Sequence, residues 1–218
     1  MSKSSVLLTS LIAGIALLCA TVPFAETLKP MPLLTPQLEG GKPLMQVLKN
    51  RSSSRSFSSE KLPLQVLSNL LWAAFGMNRP DSGHRTAPSA MDRQEIDIYV
   101  ATADGLYLYD AKRHQLQPVV AEDIRLLTGL QPFVKEAPMN FVYVADLSRM
   151  TGQSTEDKAL YSAADTGFIS ENVYLFCASE GLATVVRGSI DRQVLAKAMK
   201  LRPDQKIILA QTIGYPKK

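Results

Sequence analysis

Residues 85–100 have the sequence Arg-Thr-Ala-Pro-Ser-Ala-Met-Asp-Arg-Gln-Glu-Ile-Asp-Ile-Tyr-Val, which joins a polar turn to the start of a strand. Pro88 and Ser89 break any helix through this stretch, whereas Ile96, Ile98 and Val100 alternate with more polar neighbours. The pattern predicts a loop that leads into a half-buried strand. Polar groups at the mouth of a strand are well placed to hold a ligand, so this loop is a candidate binding segment.

The first 25 residues differ in character from the rest of the chain. Lys3 is followed by an uncharged apolar run over residues 6–20, then by Thr-Val-Pro-Phe-Ala and the first acidic residue at Glu26, which is the layout of a secretory signal peptide with cleavage after Ala25. Residues 1–25 are therefore predicted to be cleaved, and the protein to be exported as a periplasmic or secreted protein. Two alternatives are an uncleaved membrane anchor, for which the run is short against a span of about 20 residues, and a lipoprotein processed at Cys19.

Charge and cysteine content exclude several classes of function. Cleavage removes Lys3 and no acidic residue, so the formal net charge falls from +4 to +3, and no basic run alternates with aromatic residues as in nucleic-acid binders. Cys177 is then the remaining cysteine, and its apolar helical surroundings predict a buried, inert thiol. The two histidines, His84 and His114, fall in separate predicted loops without a spaced partner, so the sequence predicts no metal site.

The order of the predicted elements indicates the fold class. Residues 26–43 hold four prolines and are predicted to be an extended lead-in, followed by one domain over 44–218. Residues 77–84 are predicted to form a surface loop. Periodicity and capping residues predict helices near 44–50, 64–76, 121–130, 156–180 and 191–201, and strands over 96–101, 106–109, 140–145, 183–186 and 207–213. This order indicates an α+β domain, and no strand leads into a glycine-rich helix start as in dinucleotide-binding or P-loop folds.

A second candidate site is the turn after the first helix, with the sequence Arg51-Ser52-Ser53-Ser54-Arg55-Ser56-Phe57. Its four serines and two arginines offer hydroxyl donors and guanidinium forks to a single anion, for which phosphate is the natural candidate. A solvated loop without any ligand is the alternative.

These segments, in this order and spacing, resemble the FMN-dependent nitroreductase-like flavoproteins, and within them the branch related to azoline-oxidising dehydrogenases. The resemblance covers about residues 42–216. Its marks are the 51–57 turn, the helix 64–76, Arg85-Thr86-Ala87-Pro88-Ser89-Ala90, the hairpin at 104–109, the helical stretch 165–172, Gly181-Leu182, Arg187-Gly188 and Ile213-Gly214-Tyr215-Pro216.

The resemblance implies an α+β, nitroreductase-like fold with a central antiparallel-rich sheet flanked by helices. It also implies a homodimer formed through the long helix, with one FMN per subunit at the dimer interface and residues of both chains around it. Carried over by position, it assigns the phosphate and ribityl chain to Arg51, Ser52, Ser53 and Arg55, the flavin ring to Pro88, Ser89 and Asp92, and flavin N5 and O4 to the backbone amides of Arg187 and Gly188.

Two departures from the family pattern bear on the site. Asp92 stands where the family commonly has Asn, and Arg93 where it commonly has an aromatic residue. An ionised Asp only accepts hydrogen bonds, and its charge opposes negative charge on a reduced flavin unless a cation offsets it. Alternatively, Asp92 and Arg93 pair at the surface and the backbone alone holds the ring. The chain also ends at Lys217 and Lys218, where many relatives continue with a further basic residue for the phosphate.

The implied function is an FMN-dependent oxidoreductase that passes two electrons through flavin N5 to or from a small organic substrate, with no catalytic side chain required. Two alternatives are an azoline- or amine-type dehydrogenase that uses oxygen or a quinone as acceptor, and a non-catalytic flavin-binding protein. Export bears on the electron donor, since NAD(P)H is scarce outside the cytoplasm.

Overall fold

A computed structural model of the chain describes residues 28–218. The predicted signal peptide, residues 1–25, and Cys19 lie outside the described residues. Residues 28–43 run along the surface in largely irregular conformation, apart from one short strand.

The architecture is a seven-stranded antiparallel sheet with helices on it, which confirms the predicted α+β class. The strands are β1 Met31–Pro32, β2 Met77–Arg79, β3 His84–Arg85, β4 Ile96–Thr102, β5 Gly105–Asp110, β6 Gln115–Val120, β7 Met139–Asp146, β8 Ala183–Arg187 and β9 Gln205–Gly214. The large sheet has the order β1-β6-β5-β4-β7-β9-β8, and β2 pairs with β3 in a separate hairpin. The helices are α1 Leu44–Asn50, α2 Leu64–Phe75, α3 Phe133–Glu136, α4 Thr155–Glu180 and α5 Arg192–Ala198.

Both faces of the sheet are covered, and β7 lies inside the sheet between β4 and β9, with all eight residues buried. Side chains alternate across a strand. Phe141 and Tyr143 therefore belong to the core between the sheet and helices α2 and α4, whereas Val142 and Val144 belong to the core on the opposite face, which α5 covers.

The sequence defines both ends of α4 clearly. Ser154 caps its start, since the Ser154 hydroxyl accepts from the Asp157 amide at 3.0 Å. Gly181 ends the helix with φ 71°, a left-handed conformation that glycine adopts without strain. Cys177 is buried on this helix as predicted, and burial raises the pKa of its thiol.

Several predicted elements differ in the structure. Residues 77–84, predicted as a loop, contain β2 and the start of β3. The predicted helix over 121–130 is only a 3-10 turn at Arg125–Thr128, and the sequence did not predict β1, β6 or α3. Among residues 28–218, no helix is long and apolar enough to cross a membrane, and no cluster of three or more His, Cys, Asp or Glu side chains has metal-binding geometry.

Candidate functional site

The Ser/Arg turn is attached to the outer edge of β8, the last strand of the sheet. The Ser54 amide donates to the Thr184 carbonyl at 2.9 Å. The Tyr174 hydroxyl, from α4, accepts from the Val186 amide at 2.9 Å and lies 2.9 Å from the Ser53 hydroxyl oxygen. These bonds place the turn alongside the open side of β8, which we call the β8 edge.

The alternation of backbone groups along β8 determines whether the amide of Arg187 or that of Gly188 points to this edge. Along a strand, successive N–H and C=O groups point to opposite sides. The Thr184 carbonyl and the Val186 amide point away from β9, so the Arg187 amide points toward its pairing partner Ala210. Alternation then returns the amide of Gly188 to the β8 edge. Of the two amides predicted to face the flavin ring, only that of Gly188 lies on the side of the Ser/Arg turn.

The β8 edge carries positive charge and hydroxyl donors. The Arg51 guanidinium carbon lies 5.3 Å from the centroid of the Tyr174 ring, a cation–π contact that positions this side chain. Ser52, Ser53 and Arg55 are exposed. Among the described residues neither arginine forms a salt bridge, so both guanidinium groups remain available to an external anion. This donor set fits a phosphate group.

The C-terminus lies beside the same turn. Phe57 and Pro216 form an isolated β-bridge, and the Lys217 amide donates to the Ser56 carbonyl at 3.4 Å. A cleft of about 780 Å³ opens here, lined by Phe57, Ser58, Ser59, Glu60, Glu136, Gly181, Tyr215, Pro216, Lys217 and Lys218. Lys217 and Lys218 therefore lie beside the end of the Ser/Arg turn, in a cleft that none of Arg51, Ser52, Ser53 and Arg55 lines.

The predicted ring-binding loop rests on two buried acids. The Ala90 amide donates to Asp165 Oδ2 at 2.8 Å, and the Ser89 hydroxyl donates to Glu95 Oε2 at 3.3 Å. Glu95 and Asp165 are 0% and 2% exposed. Burial, with the nearby Asp165 adding to it, raises the pKa of the Glu95 carboxyl. Pro88, by contrast, is exposed on the outside of the loop.

Asp92 pairs with a different residue from the one that the sequence suggested. Gln94 Nε2 donates to Asp92 Oδ1 at 2.9 Å, and His84 Nε2 lies 3.5 Å from Asp92 Oδ2. No hydrogen bond or salt bridge joins Asp92 to Arg93 among the described residues. The alternative of a surface Asp92–Arg93 pair is therefore wrong for this structure. A cleft of about 290 Å³ adjoins Asp92, lined by Arg79, His84, Arg85, Ala87, Pro88, Ser89, Asp92 and Gln94.

The two groups of predicted residues contact different stretches of α4. Ser53 meets Tyr174, whereas Ala90 meets Asp165, nine positions earlier in the helix. At 1.5 Å rise per residue, the contacts lie about 13 Å apart along the helix axis. Within one protomer the Ser/Arg turn and the 88–92 loop therefore contact α4 at two positions about 13 Å apart.

The sequence missed four residues that the structure places in these groups, namely Tyr174, Glu95, Asp165 and His84. Tyr174 lies next to the apolar position Val173 of α4, and no local pattern marks its hydroxyl as the group that contacts the Ser/Arg turn. Asp165 is a charged residue among apolar residues of α4, and this pattern could have indicated its role. A carboxyl group buried on a helix face needs a hydrogen-bond donor nearby.

Comparisons with known proteins agree with one another. Residues 48–215 match the sequence profile described as the Nitroreductase family. A protein of Methanocaldococcus jannaschii assigned as a nitroreductase is 30% identical over 182 residues, which are 79% of this chain and 91% of that protein. A crystal structure from Ralstonia eutropha, also assigned as a nitroreductase, is 45% identical with a TM-score of 0.84, and the match covers 90% of this chain and 93% of that one.

A more distant likeness extends to a biosynthetic complex. A chain of the Escherichia coli microcin synthetase McbBCD complex, solved with truncated pro-MccB17 bound, is 20% identical with a TM-score of 0.67. The match covers 91% of this chain and 84% of that one. At this identity the likeness concerns the fold alone. Together these comparisons confirm the predicted nitroreductase-like fold.

Proposed function

Because the chain belongs to the nitroreductase family, we propose that this oxidoreductase binds FMN along the β8 edge and passes two electrons to or from a small organic substrate. The observation that carries the proposal is the attachment of the Ser/Arg turn to β8. Through Tyr174, it brings unpaired guanidinium groups, hydroxyl groups and the Gly188 amide to one edge.

Each residue of the edge has a role that follows from its chemistry. Arg51, Ser53 and Arg55 would bind the phosphate, since a dianion is best held by forked cations and hydroxyls. The Gly188 amide would donate to the edge of the flavin ring, where a fixed dipole stabilises negative charge. Bound flavin supplies reversible two-electron chemistry, so no side chain needs to act as nucleophile. Tyr174 would position the turn without contacting the substrate.

The ring-binding role of Pro88, Ser89 and Asp92 would be fulfilled across a homodimer. One face of α4 is exposed and carries apolar or small residues at helical spacing: Leu160, Ala163, Ala164, Gly167 and Phe168. A stripe of this kind suits close packing against the same helix of a second copy. Such a dimer would let the 88–92 loop of one protomer approach the β8 edge of the other, which also accounts for the separation of the two groups along α4.

Export remains part of the proposal and bears on the electron donor. If residues 1–25 direct the chain out of the cytoplasm, the donor would be an organic compound or a quinol rather than NAD(P)H. The fold shared with a microcin synthetase chain favours one second candidate, a dehydrogenase that oxidises an azoline or amine group. Reduction of the flavin by such a compound, but not by NADH or NADPH, would distinguish the dehydrogenase.

The proposed binding of the phosphate by the Ser/Arg turn is tested by comparing the affinity for FMN with that for riboflavin, which lacks the phosphate. Fluorescence titration should give tighter binding of FMN than of riboflavin in the native protein, and Arg51→Met should remove most of that preference. Arg113→Met is the matched control, because Arg113 is an exposed arginine in the turn between β5 and β6 and pairs with Asp110. Equal affinity for FMN and riboflavin in the native protein would refute the assignment of the turn.

A further inference from the structure

Arg187 carries a buried positive charge without an acidic partner. The residue is 4% exposed. Its guanidinium donates to three kinds of neutral acceptor: Nε to Thr212 Oγ1 at 2.9 Å, Nη1 to the Thr128 carbonyl at 2.6 Å, and Nη2 to Asn140 Oδ1 at 2.8 Å. Within residues 28–218, no carboxylate forms a salt bridge with Arg187. The interior therefore holds a net positive charge at this point.

The surroundings are shaped around this guanidinium. Asn140 is oriented by its own bonds, since its Nδ2 donates to the Val134 carbonyl at 2.7 Å and its Oδ1 accepts from the Thr212 hydroxyl at 2.6 Å. A Cβ atom on Gly129 would collide with Arg187 Nη1, so glycine at this position leaves room for the guanidinium where it lies. Asn140, Thr212 and Gly129 together fix the position of the Arg187 guanidinium.

A structural clamp alone does not explain the charge. Burying an ion without a counter-ion costs several kcal/mol even after relaxation, whereas a neutral amide, with two N–H donors, could serve two of the three acceptors without that cost. Burial lowers the pKa of Arg187 to about 10, so the group nevertheless stays protonated at neutral pH. The charge is retained despite its cost, and a bound ligand with negative charge near Arg187 would offset part of that cost.

The position of Arg187 in the chain points to the partner. Its neighbour Gly188 has its amide on the β8 edge, the proposed position of the flavin ring, while the Arg187 side chain extends into the sheet from the last residue of β8. In a poorly solvated interior a charge acts over longer distances than at the surface, and no described carboxylate cancels this one.

We propose that Arg187 sets the reduction potential of the bound flavin: its buried charge favours the reduced ring, which carries more negative charge, over the oxidised ring. The inference rests on the proposed function. Arg187 acts through its field and not by contact with substrate, so it is a tuning residue. It would offset the negative charge that Asp92 brings to the other side of the ring.

Two substitutions remove the net charge in different ways. Arg187→Gln deletes the cation and keeps a hydrogen-bonding amide, whereas Asn140→Asp keeps the arginine and places a carboxylate where Nη2 now finds an amide oxygen. The quantity measured is the ratio of FMN dissociation constants in the oxidised and reduced states, obtained from redox titration and fluorescence binding. Each variant should weaken the binding of reduced FMN relative to oxidised FMN by about tenfold. This change lowers the reduction potential of the bound flavin by about 30 mV for a two-electron couple. Arg187→Lys, which keeps the charge, should stay within about threefold of native, and the surface control Arg113→Gln should not shift the ratio.

The outcomes separate the inference from the proposed function. A native protein that takes up no FMN overturns both. If FMN binds but Arg187→Gln and Asn140→Asp leave the ratio within twofold of native while lowering thermal stability, Arg187 is a structural clamp and the inference is wrong. An equal shift in Arg187→Lys and Arg187→Gln also overturns it, since geometry and not charge would then be responsible. Should Arg187→Gln fail to fold, the ratio measured for Asn140→Asp decides.

Discussion

The Tyr174 hydroxyl lies 2.9 Å from the Ser53 hydroxyl oxygen and accepts a hydrogen bond from the Val186 amide at the same distance. One phenol on α4 therefore joins the Ser/Arg turn to the edge of the sheet. The same ring lies beneath Arg51, whose guanidinium carbon is 5.3 Å from its centroid.

We expect Tyr174→Phe to weaken FMN binding by about five- to tenfold, since a typical net hydrogen bond contributes about 1 kcal/mol and the turn loses its attachment. The ring stays, so the cation–π contact with Arg51 and most of the stability should persist. The measurement is fluorescence titration with FMN, alongside thermal unfolding. Tyr107→Phe is the control, because Tyr107 is a buried tyrosine of β5, remote from β8. Unchanged affinity in Tyr174→Phe would contradict the role of this phenol.

The exposed face of α4 should mediate association. Phe168 is 49% exposed in the protomer, so Phe168→Glu should leave the protomer folded but place two carboxylates in the apolar contact of a symmetric dimer. Sedimentation velocity should show a dimer for the native protein and a monomer for the variant, with FMN lost from the monomer. Val194→Glu, at a similarly exposed residue of α5, should remain dimeric. A native monomer that retains FMN would refute the shared site.

Asp92→Asn should raise the flavin reduction potential by about 30 mV, equivalent to about tenfold in relative binding of the two redox states. The substitution removes a negative charge beside the proposed ring and restores a side chain that can both donate and accept. Backbone strain should not interfere, because Asp92 has φ 51°, a region that Asn tolerates well. Potentiometric titration checks the shift, with the exposed Asp81→Asn as control. No shift would place Asp92 away from the ring.

His114 should make the folded state sensitive to mild acid. Its Nε2 lies 2.7 Å from the Ser68 hydroxyl and its Nδ1 3.0 Å from the Tyr109 hydroxyl, and burial lowers its pKa from the ordinary value of 6.5. The unfolded chain then takes up a proton at higher pH than the native state. Stability from this group is complete above pH 6.5 and is lost as pH falls through the folded-state pKa.

The free energy of unfolding measured by urea denaturation should therefore decrease below pH 6.5 in the native protein. His114→Gln should show a smaller decrease over the same range, whereas the half-exposed His84 serves as a control through His84→Gln. A His114→Gln variant with the native pH profile would show that another group is responsible.

Local patterns predicted the parts of the fold whose sequences carry clear periodicity and caps. The long helix α4 has a serine cap at Ser154 and a glycine stop at Gly181, and both are used in the structure. The strand β6 was missed because Pro118 interrupts its pattern. A shift in register between Leu106 and Tyr107 of the neighbouring strand accommodates this region, and such irregularities depend on pairing that a single strand does not reveal.

The sequence could predict only those parts of the candidate site that consist of consecutive residues. The Ser/Arg turn and the Pro88-Ser89 loop carry their chemistry in consecutive residues, so a sequence reveals them. The contacts that support them join residues distant in sequence: Ser53 with Tyr174, and Ala90 with Asp165. The family resemblance assigns a role only to the backbone amide of Arg187, whereas the structure shows that its side chain is a buried cation with neutral partners. Burial of a charge depends on the assembled fold and is invisible to local pattern.

The visible spectrum and flavin content of the purified protein show whether this oxidoreductase binds FMN. We expect a yellow protein that holds about one FMN per chain, releases it on denaturation, and bleaches reversibly on two-electron reduction. A folded, colourless protein that takes up no added FMN would contradict it.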